Sequence, residues 1–277
     1  LFRGTMDSVY ANGILEVHVD DEGDVQAGGL IGLALGESAI KNCWFDGTIT
    51  TNGRKFGGII GTNVTRSDAK VSIENSLVTG TLNCKNPGNS VVGGFCGLLQ
   101  GKNNSLIIKD SLFAGEINYL GPADGKIGSA GTYVGRVGYP GNPEGEAITF
   151  QSAYSVVTDY PSVQYIDPGC TKNSGVKFLS NKELTGELAR SNTKLDFAQY
   201  WKTQKADCPI LRTFSHLKKG AILESKDENY SLAWYDPDAK VLELKTAEDL
   251  YGLYIVSRDD TFKGKTVKLV ADVVTNN

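Results

Sequence analysis

The chain has 277 residues, 40% of them hydrophobic, with a formal net charge of −4. That apolar content allows one or two domains with a sizeable core and excludes wholesale disorder. No basic run concentrates charge (Lys218-Lys219 are the only adjacent lysines), so no nucleic-acid face is expected. No apolar stretch approaches the ~18 residues of a membrane span, so no membrane insertion is expected either.

Taken in chain order, Leu1-Phe2 opens inside a strand-like string, and Asn276-Asn277 closes directly on another. The sequence therefore reads as a piece of a longer secreted protein. Asp20-Asp21-Glu22-Gly23-Asp24 is the densest acidic run. It reads as a solvated turn, the alternative being a weak Ca²⁺ site on Asp20, Glu22 and Asp24, since hard cations take carboxylate oxygens. The EF-hand pattern fails there, with Val25 where glycine belongs and Ile31 in place of the closing Glu.

Three pentapeptides then recur: Gly28-Gly29-Leu30-Ile31-Gly32, Gly57-Gly58-Ile59-Ile60-Gly61 and Gly93-Gly94-Phe95-Cys96-Gly97. A degraded fourth copy is read at Val134-Gly135-Arg136-Val137-Gly138. Between them a second string repeats from Ile40, Ile73 and Ile108, each followed by Asn42-Cys43, Asn75-Ser76 or Asp110-Ser111 and ending at Gly47, Gly80 or Gly115. Self-similarity at a fixed period is the signature of a repeat architecture. The β-branched and aromatic content favours strands, and no helix-length amphipathic run separates the copies. The predicted fold is dominantly all-β: a parallel β-solenoid, taken as a right-handed β-helix, with a small C-terminal α/β segment. Equivalent residues should stack about 4.8 Å apart, with Ile40 on Ile73 on Ile108 in the core. The Asn42, Asn75 and Asp110 column should pair its amides from copy to copy, as Asn ladders do.

Beyond residue 155 the repeat fades. The expected organisation is a solenoid over 1–167, a capping and connecting segment over 168–219, and the start of a following unit over 220–277. Ser180 with Glu183 three residues on, then Leu184 and Leu188, predicts a capped short helix that closes the solenoid end. Residues 246–256 predict a capped amphipathic helix between strands at Leu242–Leu244 and at residues 262–273.

The five cysteines are an odd number, and Cys170 with Cys208 is the one pair worth testing as a disulfide. Cys96 falls in an apolar slot and Cys43 in a small one. The two histidines, His18 and His216, have no partner at metal-ligand or triad spacing, so both are read as structural. Lys263-Gly264-Lys265-Thr266 lacks the earlier glycine of a phosphate loop. Paired carboxylates for glycoside chemistry would have to recur in one column. Asp46 instead aligns with Thr79 and Ala114, so no catalytic residue and no cofactor other than the candidate Ca²⁺ is expected. Tyr133, Tyr139, Tyr154, Tyr160 and Tyr165 gather around the Gly- and Pro-rich 138–143 loop. Tyrosines suit sugar or protein partners, and the competing reading packs Tyr133 and Tyr154 into the last repeat.

The pentapeptides and the I-x-[ND]-[CS] strings resemble the GLUG-type repeats of bacterial surface proteins. Phe2-Arg3-Gly4-Thr5-Met6-Asp7 is similar to the strand opening a unit there, and residues 246–272 to the helix and strand preceding it. The resemblance implies an extracellular, bacterial cell-surface module acting as adhesin or rigid spacer. Its partners would be a host or microbial glycan, a surface protein, or further units of the same parent chain. The alternative is a polysaccharide lyase or glycosidase on the same scaffold.

Overall fold

In the computed structural model the chain forms two compact units, Leu1–Ile222 and Leu223–Asn277. The residues described are 1–19, 25–120, 128–139, 144–157, 159–173, 175–215, 217, 231–236, 238–256, 262–271 and 273. The fold is mostly β, with large parallel sheets.

In the first unit each copy pairs in parallel with the equivalent strands of the next, tier upon tier. The inward columns are apolar. Met6, Ile40, Ile73, Ile108 and Phe150 stand in one register line. Leu15, Ile49, Leu82 and Ile117 form a second line, and Ile31, Ile60, Cys96, Val134 and Val163 a third. Ile40, Ile73, Ile49 and Leu82 are fully buried, and burial of each such side chain is worth about 1.5–3 kcal/mol. The summed burial of these columns offsets the entropy of ordering so many short strands.

The pentapeptides are corners between two sheets. The first glycine ends one strand, at Gly28, Gly57 and Gly93, and the fourth residue opens the next, at Ile31, Ile60 and Cys96. The second glycine is required by a close approach. A Cβ on Gly58 would lie 2.4 Å from Gly94 O and 2.7 Å from Val78 Cγ1, and one on Gly94 would lie 2.6 Å from the Phe113 ring.

Register also corrects the fourth copy. Gly93 pairs with Gly131 and Cys96 with Val134, so that copy is Gly131-Thr132-Tyr133-Val134-Gly135, three residues before the string read from sequence. Thr132 replaces the second glycine in the tier where Ser155 stands in register with Phe113, a small side chain in place of a ring. Tyr133 then lies on Phe95 with ring centroids 4.7 Å apart and planes 6° from parallel. Arg136 sits in line with Leu98 and Thr62, not with the core column.

The Asn column has a different reason from the one expected. Ser8, Asn42, Asn75, Asp110 and Ser152 all have φ between 45° and 57°, the left-handed region that Asn and Asp tolerate better than other non-glycine residues. No amide ladder runs along it. Asn42 donates Nδ2 to Asp7 Oδ1 at 2.7 Å, and its buried Oδ1 accepts nothing among the described residues. The ladder forms elsewhere: Asn118 Nδ2 donates to Asn83 Oδ1 at 2.9 Å, and Asn83 Nδ2 to Thr50 Oγ1 at 3.1 Å. The small slot behind the corner carries a hydroxyl relay. Cys43 N–H donates to Ser76 Oγ and Ser76 N–H to Ser111 Oγ, while each serine hydroxyl donates to the carbonyl two residues before it.

The segment after the last tier begins by pairing with it. Val176–Phe178 pairs with Ala153–Ser155, and the chain then runs back along the outer face of the stack. Leu184, Leu195, Trp201 and Phe214 cluster with the outward column Trp44, Leu77, Leu112 and Tyr154. Phe214 reaches the first tiers, 5.8 Å from the Tyr10 ring and 6.4 Å from Trp44. Ser180 and Glu183 make the expected capping box, with Glu183 Oε2 accepting from Ser180 N–H at 2.8 Å and Ser180 Oγ from Glu183 N–H at 3.3 Å. It opens only a turn, because Gly186 at φ 59° breaks the run, and the α-helix is Glu187–Asn192. Leu188 is consequently exposed, and Ala189 faces the cluster.

The second unit is a β-α-β arrangement: Val241–Leu244, the helix Ala247–Val256, and Thr266–Leu269 paired parallel to the first strand. Thr246 and Asp249 cap the helix, Asp249 Oδ2 accepting the N–H groups of Lys245 and Thr246 at 2.8 and 3.1 Å. Among the described residues no helix is long and apolar enough to cross a membrane.

Candidate functional site

The tyrosines singled out from sequence do not converge on one presented surface. Tyr133 is fully buried in the core, its hydroxyl donating to the carbonyls of Ser111 and Tyr154. Tyr154 lies under the returning segment, where its hydroxyl accepts the Lys194 N–H at 2.6 Å. Tyr160 is part-buried, its hydroxyl meeting the carbonyls of Ile117 and Tyr119 at 3.2 and 3.1 Å. Burial raises the pKa of all three phenols. Each hydroxyl satisfies backbone groups that the stack leaves open, so all three hydroxyls serve the fold.

Tyr139 is the exception, half exposed at 50%. It follows the corner at Gly138, whose φ of 79° turns the chain out of the strand Val134–Val137. The guanidinium of Arg136 lies 5.5 Å from its ring centroid, a cation–π contact that fixes the ring against the sheet. Arg136 is itself buried. Desolvation pulls its pKa down, and the phenol oxygens of Tyr139 and Tyr165 oppose that pull. Tyr165 stands in register with Arg136 on the neighbouring strand, its hydroxyl 3.4 Å from Asp167 Oδ2. The surface is therefore one open aromatic face backed by a fixed cation, with a phenol and a carboxylate beside it.

A second polar cluster adjoins Gly138. Glu146 is fully buried. Its carboxylate accepts the N–H of Gly101 on Oε1 and of Glu144 on Oε2, both at 2.9 Å, and the Cys170 thiol donates to Oε2 at 3.2 Å. Burial alone would raise this carboxyl's pKa, but the hydrogen bonds outweigh it and the net shift is downward. Burial, together with the same contact, pushes the Cys170 thiol up to about 12. Burial likewise takes Cys96 to about 12 and Cys43 to about 11. None of these thiols is activated, because the thiolate is the nucleophile. All five cysteines are free. The candidate pairing of Cys170 with Cys208 is not made, since Cys170 packs against the tier core and Cys208 within the returning segment's cluster.

Asp46 is also a structural residue. Its Oδ1 accepts from Thr79 Oγ1, which in turn accepts the Trp44 indole N–H at 2.7 Å, and Tyr10 donates to Oδ2 at 3.3 Å. The candidate Ca²⁺ ligands Asp20, Glu22 and Asp24 lie outside the described residues, as do His216 and loop positions 140–143.

No protein-family model, curated protein or solved structure matches the chain.

Sequence reasoning reached Tyr139 and Tyr165 through their grouping around the loop but passed over Arg136. The slipped fourth copy treated Arg136 as a defect in a core column. Aligning Gly131 with Gly93 and Tyr133 with Phe95 would have placed Arg136 on the outward line.

Proposed function

We propose that the stacked parallel tiers constitute a right-handed β-solenoid belonging to the GLUG-type repeats of bacterial cell-surface proteins. In this reading the chain is an extracellular, non-catalytic module, a rigid adhesive element that takes a glycan or protein surface at its last tiers. The observation that carries the reading is the half-exposed Tyr139 ring fixed on the Arg136 guanidinium at the end of an in-register stack. A flat aromatic face with polar neighbours suits the C–H face of a sugar ring or an apolar side chain of a partner. The in-register columns supply the stiffness, since each tier is bonded to the next along several edges.

The test is retention of the purified chain on immobilised host glycans, matrix proteins and microbial polysaccharides. Saturable retention reduced at least about tenfold by Tyr139→Ala, the loss expected for an interface anchor, supports the adhesive reading. Absence of retention across the panel removes it and leaves the spacer role.

A further inference from the structure

A second cation stands beside the Tyr139 face, and its side chain is uncommitted. Arg54 is half-buried and directly precedes the strand Lys55–Gly57. Its carbonyl accepts the Val91 N–H at 2.7 Å. Val91 in turn packs on the strand that carries Arg136, since a Cβ on Gly135 would lie 2.8 Å from Val91 Cγ1. The start of Lys55–Gly57 is thereby brought up to the outward line of Thr62, Leu98 and Arg136. Among the described residues the Arg54 side chain makes no ion pair and no hydrogen bond. Burial is the main cause that pulls the Arg136 pKa down, and the nearby charge of Arg54 adds to it. Two like charges held in a partly desolvated corner repel each other, and an anion placed against them relieves that repulsion.

The carboxylates beside Gly138 are withdrawn from solvent. Asp167 is 1% exposed and has the Tyr165 hydroxyl at its Oδ2. Glu146 is fully buried, its oxygens accepting from Gly101, Glu144 and Cys170. Glu144 is exposed but lies beyond the far end of the strand Cys96–Lys102, where its carbonyl accepts the Asn103 N–H at 2.8 Å. The part-exposed charges at the start of Lys55–Gly57 are cations, Arg54 and Lys55, in a chain whose net charge is −4. We propose that Arg54 is a further ligand-binding residue of the Tyr139 face and that the ligand is an acidic glycan. One sugar ring lies on Tyr139, and the carboxylate or sulfate of that sugar or the next takes the Arg54 guanidinium. A planar guanidinium offers paired N–H donors that match the oxygens of either anion. The inference rests on the adhesive reading and narrows its glycan.

Retention of the whole chain on matched acidic and neutral surfaces tests this: polygalacturonate and its methyl ester, hyaluronan and carboxyl-reduced hyaluronan, sialylated and desialylated mucin, dextran sulfate and dextran. The acidic member of at least one pair should retain the chain about tenfold more strongly than its neutral partner. Added NaCl should lower that preference, because Arg54 is part-exposed. Which pairs respond separates carboxylate from sulfate as the anion. Arg54→Gln should abolish the preference and leave retention on the neutral member unchanged, whereas Tyr139→Ala should lower retention on both. Lys202→Gln, which removes an exposed cation of the returning segment, should change neither. Near-ultraviolet circular dichroism confirms that each variant is folded. Equal retention within every pair, a preference that survives Arg54→Gln, or one lost as fully in Lys202→Gln would overturn the acidic assignment and leave the adhesive reading standing. Retention on protein surfaces alone would do the same. No retention on any surface would overturn both.

Discussion

At position 63 an amide side chain sits in an inward line between Ala34 and Leu99, fully buried, with neither its oxygen nor its nitrogen hydrogen-bonded among the described residues. A buried polar group without a partner costs about 1–3 kcal/mol. Asn63→Leu keeps the number and branching of the heavy atoms and removes that cost, so it should raise the free energy of unfolding by up to about 1–3 kcal/mol in urea titration. Glu146 presents the opposite case, a buried carboxylate with its hydrogen bonds satisfied. Its pKa is held below the ordinary 4.5. The stability it contributes is therefore present above the unfolded value and is lost as pH falls below it and the folded carboxylate takes up a proton. Thermal unfolding followed from pH 7 down to about pH 3 should show this acid-side loss. Glu146→Gln should remove that component and lower stability at neutral pH by about 1–3 kcal/mol.

At the level of elements, the repeating corner decides how strictly each residue type is needed. Asn75 sits at φ 45°, where a β-branched side chain meets its own backbone. Asn75→Val should destabilise by about 1–2 kcal/mol, whereas Asn75→Gly, free to adopt positive φ, should cost less; denaturant titration separates the two. The second glycine of the pentapeptide answers to a different constraint, the ring or branched chain that fills the same tier at Phe45, Val78 and Phe113. Where that neighbour shrinks to Ser155 the glycine becomes Thr132, whose hydroxyl donates to the Tyr160 carbonyl at 2.7 Å. The two positions change together because they share one volume.

At the level of the first unit, the returning segment covers a column that the tiers leave outside their own core. Phe214, buried at its far end against Tyr10 and Trp44, anchors it. Phe214→Ala should lower stability by about 3–5 kcal/mol, and limited proteolysis should then cut the returning segment before the tiers.

The parallel β character was legible in the sequence because apolar, small and turn residues recur at matched spacing, and Ile40, Ile73 and Ile108 do stand in register. The helix of the second unit was legible from its cap and spacing. Other features depended on partners distant in sequence. The fourth copy's true frame needed the Gly93–Gly131 pairing, because its second glycine had changed along with the ring position that Ser155 fills. The path of residues 176–217 needed the Trp44, Leu77, Leu112 and Tyr154 column, whose residues are 33, 35 and 42 positions apart and alternate with core positions. Tyr133 and Tyr139 look alike in a string of letters, yet one hydroxyl is committed to two carbonyls inside the core and one ring lies open on a guanidinium. Local pattern sets what a residue is able to do; burial and hydrogen-bond partners are properties of the packed chain, and they alone decided which tyrosine faces solvent.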